Sequence, residues 1–219
     1  MGSAQAKGTL VGRVYDVIDE ATRQWLTTQP MFFVATAPND PDGHVNLSPK
    51  GAAGAFRVLG PTRVAYVDLV GSGVETVAHL RENGRIVLMF CAFAGPPKIV
   101  RLHGQGRVVP EDDPEFAALL PEFSLDDDAL ALARGIVVVE TTRIADSCGF
   151  VVPRMELVSQ RDQLLRWGEQ QYAKNGELWK ERYLAANNAR SIDGLPGYDP
   201  AAELVSDEAR ALSSSGRAL

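Results

Sequence analysis

The stretch "HVNLSPKG", residues 44–51, sets an amide, a hydroxyl and a cation two positions apart. Side chains alternate faces along a strand, so Asn46, Ser48 and Lys50 share one face while Val45 and Leu47 share the other. Such a row is either the wet face of a half-exposed strand or a set of polar groups for an anionic ligand. A second candidate is "DLVGSGVETVAHL", residues 68–80, where a strand ending at Asp68 passes through Gly71-Ser72-Gly73 into a helix. Ser72 and Glu75 match the S-x-x-E capping box, in which each side chain satisfies a free amide at the helix start. The same construction leaves amides and a positive dipole end for a phosphate. It lacks the third glycine of a dinucleotide fingerprint and the Gly-Lys-Ser/Thr of a phosphate loop. A third candidate is Arg101, in "PPKIVRLHGQG" (96–106), which sits among apolar strand residues. An unpaired guanidinium there is costly, so Arg101 needs a carboxylate such as Asp68 or Glu75, a phosphate, or solvent.

Other chemistries find little support. No G-x-S-x-G elbow is present, and the βαβ alternation that holds one is missing. Cys91 and Cys148 are too few for a metal framework or disulfide scaffold, and both read as plain buried thiols. His44, His79 and His103 have no close metal-ligand spacing. The formal net charge is −6 and the basic residues are scattered, which argues against a nucleic-acid partner. No apolar run approaches the ~20 residues of a membrane-spanning helix. The opening "MGSAQAKGTL" has no signal-type apolar core, so a soluble cytoplasmic protein is expected.

The elements that must position these residues follow from periodicity. With 219 residues, 45% of them hydrophobic, the chain has enough for one substantial core or two small ones. Apolar residues at Val14, Val17, Ile18, Ala21 and Trp25 predict an amphipathic helix within 11–29. "PMFFVATA" (30–37) reads as a buried strand, and "PNDPDG" (38–43) turns the chain back into "HVNLSPKG". Further strands are predicted at 55–60, 63–69, 85–93, 99–109 and 135–146, with one short helix over 73–83. "DPEFAALL" and "DDALALA" add small helices. Residues 159–189 predict a long helix or two shorter ones, with Gly168 and Gly176 as breaks. Many strands and short turns give a mainly β (α+β) fold, a barrel or sandwich rather than a doubly wound sheet. One domain is expected over 1–200, with a flexible tail over 201–219.

In this order the pieces resemble the pyridoxamine-5'-phosphate-oxidase-like family of FMN-binding split β-barrels. The matching elements are a leading helix, "FFVATA", "VNLSPKG", "VAYVDL", the glycine-serine turn, "HLRENGRIVLMF" and "IVRLHGQGRVV". "SCGFVVPR" and "NNARSIDGLPG" look like those of an uncharacterised branch. The resemblance implies a homodimer with two FMN sites at the subunit interface, acting as an oxidoreductase on a small organic substrate. Carried over by position, Ser48 and Lys50 would meet the phosphate or ribityl chain, and Tyr66, Val67 and Asp68 would line the flavin. Ser72 and Thr76 would approach the phosphate from the helix start, and Lys98 and Arg101 would reach the flavin from the partner subunit. The oxidase itself carries an Arg-Lys pair at the start of that helix, where this chain has Glu75 and Thr76. The phosphate charge then falls to Lys50 and Arg101, and vitamin B6 oxidation is not assigned. A deazaflavin or haem protein on the same barrel and a non-enzymatic flavin-binding or sensing dimer are the alternatives. "SIDGLPG" (191–197) is read as an arm folding over either its own site or a neighbour's.

Overall fold

The computed structural model describes residues 12–198. Its strands are β1 (Val14–Tyr15), β2 (Phe32–Thr36), β3 (Asn46–Lys50), β4 (Phe56–Val58), β5 (Arg63–Leu69), β6 (Arg85–Cys91), β7 (Ile99–Pro110) and β8 (Ala133–Ser147). They form one sheet in the order β3-β2-β6-β7-β8-β5-β4, with β1 beside β8. Every pairing is antiparallel. The sheet curls until its ends approach. Phe56 of β4 packs 5.4 Å from Phe32 of β2 and 4.9 Å from Phe90 of β6, although neither strand is its sheet neighbour. The result is a split β-barrel with an open seam between β3 and β4.

Alternation explains the two cores. Phe32, Val34, Tyr66, Leu88, Phe90, Val137 and Val139 fill the barrel interior. Ala65, Val67, Ile136 and Val138 point outward onto Phe116 and Phe123, which lie in and just beyond α3 (Pro114–Leu119). Strand β8 is therefore buried on both faces from Ala133 to Val139, and apart from Arg134 that stretch is a continuous apolar run instead of an alternating one. Burying each large side chain stabilises the fold by about 1.5–3 kcal/mol.

The opening helix is shorter than its periodicity predicts. Val14 and Tyr15 pair with Ala145 and Ile144 of β8, and α1 runs only from Glu20 to Thr27. Asp19 sets that start, its Oδ1 accepting from the Thr22 amide at 2.7 Å. The predicted helix over 73–83 is α2 (Glu75–Glu82), and the small helix predicted in "DDALALA" is α4 (Asp127–Ala131). The C-terminal helical stretch divides into α5 (Gln163–Asn175) and α6 (Trp179–Asn187). Gly176 makes the break at φ +73°. Gly168 lies inside α5, where Leu132 packs so close that an added Cβ would lie 2.4 Å from its Cδ2. Cys91 is buried as expected, but Cys148 is exposed, just beyond the end of β8. Among the described residues no helix is long and apolar enough to cross a membrane. The stretch 201–219, expected to be a flexible tail, lies outside the described residues.

Candidate functional site

The polar row on β3 is turned inward. Lys50, Ser48 and Asn46 pair with Phe32, Val34 and Thr36, the core-facing residues of β2. All three are half-buried, whereas Val45 and Leu47 are 73% and 63% exposed. An ordinary half-exposed strand does the reverse, with apolar side chains in and polar ones out. The row extends the barrel's inner face past its hydrocarbon core to the seam.

Lys50 closes that seam. Its Nζ lies 2.7 Å from Asp68 Oδ1 on β5, next to the last strand at the other end of the sheet. Strand β4 stops at Phe56, opposite Tyr66, so no backbone of β4 covers Asp68. The second carboxylate oxygen receives Arg134 Nε at 2.8 Å. Arg134 reaches it through a β-bulge: Asp68 pairs with Gly135 and Leu69 with Ala133, leaving Arg134 as the extra residue. Burial alone would raise the Asp68 pKa, but Lys50 and Arg134 outweigh it and hold the carboxyl at about 2. Two cations on one carboxylate leave a net positive centre. Lys50 uses one ammonium hydrogen on Asp68 and sits 5.9 Å above the Tyr66 ring. Arg134 is committed to protein, donating to Asn188 Oδ1 at 2.9 Å and to the Gly73 carbonyl at 2.9 Å.

A second network runs from the same row to α2. Ser48 Oγ donates to Asn46 Oδ1 at 2.9 Å. Asn46 Nδ2 donates to Thr76 Oγ1 at 3.0 Å and to Thr36 Oγ1 at 3.3 Å. Thr36 Oγ1 lies 2.9 Å from His79 Nδ1, and His79 is fully buried. Burial pulls the His79 pKa below its ordinary value, against Asp193, Glu75 and Glu82, so the ring is neutral at pH 7. Its Nε2 has no partner among the described residues. A buried polar atom left so costs about 1–3 kcal/mol.

The capping box does not form. The N-cap of α2 is Val74, with no side-chain cap. Ser72 is exposed, and its carbonyl accepts from Asn188 Nδ2 at 3.3 Å. Glu75 instead accepts from the Ile192 amide at 3.4 Å. The turn is held from outside: Asn188, fully buried, also donates to the Gly71 carbonyl at 3.1 Å. The SIDGLPG arm packs against its own chain, where Asp193 accepts from the His44 amide at 2.8 Å and lies 2.6 Å from its Nδ1.

The sequence-derived site residues therefore divide. Ser48, Lys50, Asp68 and Thr76 are brought together, and Tyr66 lies beneath Lys50, fully buried. Val67 faces the opposite way, into the second core cluster. Arg101 pairs across to Met89, which pairs to Phe33 and then Pro49, so it lies on the outer face. Its partner is neither Asp68 nor Glu75; its Nη1 donates to Ser147 Oγ at 3.1 Å. Lys98 Nζ stands 4.9 Å above the Trp25 ring. Arg134 and Asn188 were not singled out from sequence; Asn46 figures there as a member of the polar row without a role, and His79 only as a histidine without metal-ligand spacing. The signal for Arg134 is a cation directly before the apolar run "GIVVV", where no exposed position is available. Asn188 carries no comparable local signal.

The sequence pattern of a family described as pyridoxamine 5'-phosphate oxidase matches residues 18–147. The "Pyridoxamine 5'-phosphate oxidase family protein ustO" of Aspergillus flavus is 39% identical over 201 residues, covering 85% of this chain and 78% of that protein. Among solved structures, HupZ of Group A Streptococcus is 18% identical with a TM-score of 0.43, covering 58% of this chain and 91% of its own. An FMN-binding protein of Nostoc punctiforme, related to pyridoxamine 5'-phosphate oxidase, is 11% identical with a TM-score of 0.42, covering 57% and 77%. The matched span runs from just before α1 to the end of β8 and takes in the whole curled sheet except β1. The chain belongs to the pyridoxamine 5'-phosphate oxidase family.

Proposed function

We propose that the protein is an FMN-dependent oxidoreductase of a small organic substrate, working as a homodimer with flavin at the subunit interface. The observation that carries this reading is the inward polar row of β3, ending in Lys50 beside a net positive, largely buried centre. The residues fit the flavin mononucleotide. Lys50 has ammonium hydrogens beyond the one on Asp68 and keeps 23% of its side chain exposed, so it can meet a phosphate. Asn46, Ser48 and Thr76 offer polar atoms beside it. Bound flavin would supply the hydride or electron transfer; the chain's task is to orient the ring and limit access to it.

The outer sheet face supports the dimer. Leu47, Ala35 and Val87 form one row across it, and Pro49, Phe33 and Met89 another. Arg101 and His103 continue these rows on β7. A cation on that face is directed away from its own Lys50, so it reaches a shared flavin only from the second subunit. Titration of the apoprotein with FMN tests the reading. Lys50→Ala and Arg101→Ala are each expected to weaken binding by more than ~1 kcal/mol. A wild-type protein that binds no FMN, or binding indifferent to both substitutions, would overturn it.

A further inference from the structure

Ser48 is commonly the kind of residue one assigns to a phosphate, as a hydroxyl donor. The hydrogen-bond arithmetic of the buried network says otherwise. Asn46 has two amide hydrogens and one carbonyl, and all three are used: the hydrogens on Thr76 and Thr36, the carbonyl by Ser48. Turning the amide over would aim its nitrogen at Ser48 and leave one N–H without use. In the observed orientation Thr36 Oγ1 accepts from Asn46, so its own hydrogen is free for His79 Nδ1. When Thr36 gives that hydrogen to Nδ1, the neutral ring carries its own on Nε2. In the overturned orientation Thr36 must donate to Asn46, and the ring hydrogen moves to Nδ1. An Nε2–H ring bonded to the Thr36 hydrogen therefore requires the observed orientation of Asn46, and with it Ser48 as the donor to Asn46 Oδ1.

We infer that Asn46, backed by Thr36 and His79, is a positioning residue that fixes Ser48 as a hydrogen-bond acceptor, so that β3 reads a donor group on the ligand. This rests on the flavin reading. Ser48 has its only hydrogen on Asn46 Oδ1, so lone pairs alone face a ligand at the seam. A phosphate, which offers only acceptors near neutral pH, gains nothing from it. A ribityl hydroxyl or a ring N–H does. Recognition divides along the strand, with Lys50 taking the anion and Ser48 the neutral part of the molecule two residues before it.

Two measurements test this. The first is imidazole nitrogen NMR of the whole protein with isotope-labelled histidine, without any flavin. Wild-type His79 should show the Nε2–H tautomer. Asn46→Asp, whose carboxylate only accepts, should draw the Thr36 hydrogen away and convert His79 to Nδ1–H. A wild-type Nδ1–H ring, or no change in Asn46→Asp, overturns the inference. The second compares FMN with riboflavin, the same molecule without its phosphate. Ser48→Ala and Asn46→Ala should weaken both ligands equally, by roughly three- to tenfold. Lys50→Ala should weaken FMN by roughly tenfold or more and leave riboflavin within about twofold. Selective loss of FMN in Ser48→Ala would make Ser48 a phosphate donor and overturn the inference while leaving the flavin reading intact. Failure of the wild type to bind either flavin would overturn that reading instead, and the tautomer then decides the network alone.

Discussion

Asp68 carries its charge between Lys50 and Arg134 with 1% exposure, so its protonation is linked to folding. The carboxyl sits at about 2 in the folded chain, against about 3.9 in an unfolded one. A depressed acid stabilises above its unfolded pKa and loses that contribution as pH falls through the folded value. Asp68 therefore adds about 2–3 kcal/mol at neutral pH, declining between about pH 4 and 2. Acid-induced unfolding followed by circular dichroism should be shallower in this window for Asp68→Asn. That variant should also be less stable at pH 7 by about 3–5 kcal/mol, because the buried Arg134 and the half-buried Lys50 lose their anion. His79 and His103 act at higher pH. Burial lowers both, so each stabilises above about 6.5 and loses the contribution as pH falls below it. The thermal midpoint should fall between pH 7 and 5, with a smaller fall in His79→Gln.

At the scale of elements, the C-terminal arm holds the turn that precedes α2. Asn188 ties Gly71 and Ser72 to Arg134, and Asp193 fixes the arm to His44 at the start of β3. Asp193→Ala should speed amide hydrogen exchange in residues 190–197 without altering exchange in β7 or β8. Equal protection of the arm in both proteins would mean that Asp193 does not anchor it. Most elements are legible in the sequence, because each long apolar run has one period. β5 is found at its predicted residues, and β7 and β8 nearly so. The capping box was misread for a physical reason. A local S-x-x-E pattern competes with longer-range partners: the Ile192 amide engages the Glu75 carboxylate, and Asn188 holds the Ser72 carbonyl, so the N-cap falls at Val74. The opening helix was overextended in the same way, since β8 offered Val14 and Tyr15 a strand partner invisible to local periodicity.

For the whole molecule, the exposed apolar side of β3 is one feature a single subunit leaves unexplained. Val45 and Leu47 are among its most exposed large hydrophobic residues, at the edge of a sheet face that continues through Phe33 and Met89. If the proposed dimer forms through this face, Leu47→Glu should run as a monomer by light scattering where the wild type runs as a dimer, with unchanged circular dichroism. It should also lower FMN affinity if both subunits complete the site. A dimer that survives Leu47→Glu would place the subunit contact on another face.

The sequence by itself determined the strand order along the chain, the apolar interior and the two-residue spacing that puts Asn46, Ser48 and Lys50 on one face. Those are consequences of periodicity, which is local. It could not decide which face turned inward, because that depends on curling of the sheet and on a seam that only distant strands define. Nor could it pair Lys50 with Asp68, insert Arg134 by a bulge, or bring Asn188 back onto Gly71. Charge compensation and hydrogen bonding in a buried site are properties of three-dimensional neighbours: the charged partners here lie 18 and 66 residues apart in the chain, and the amide that holds the turn 117.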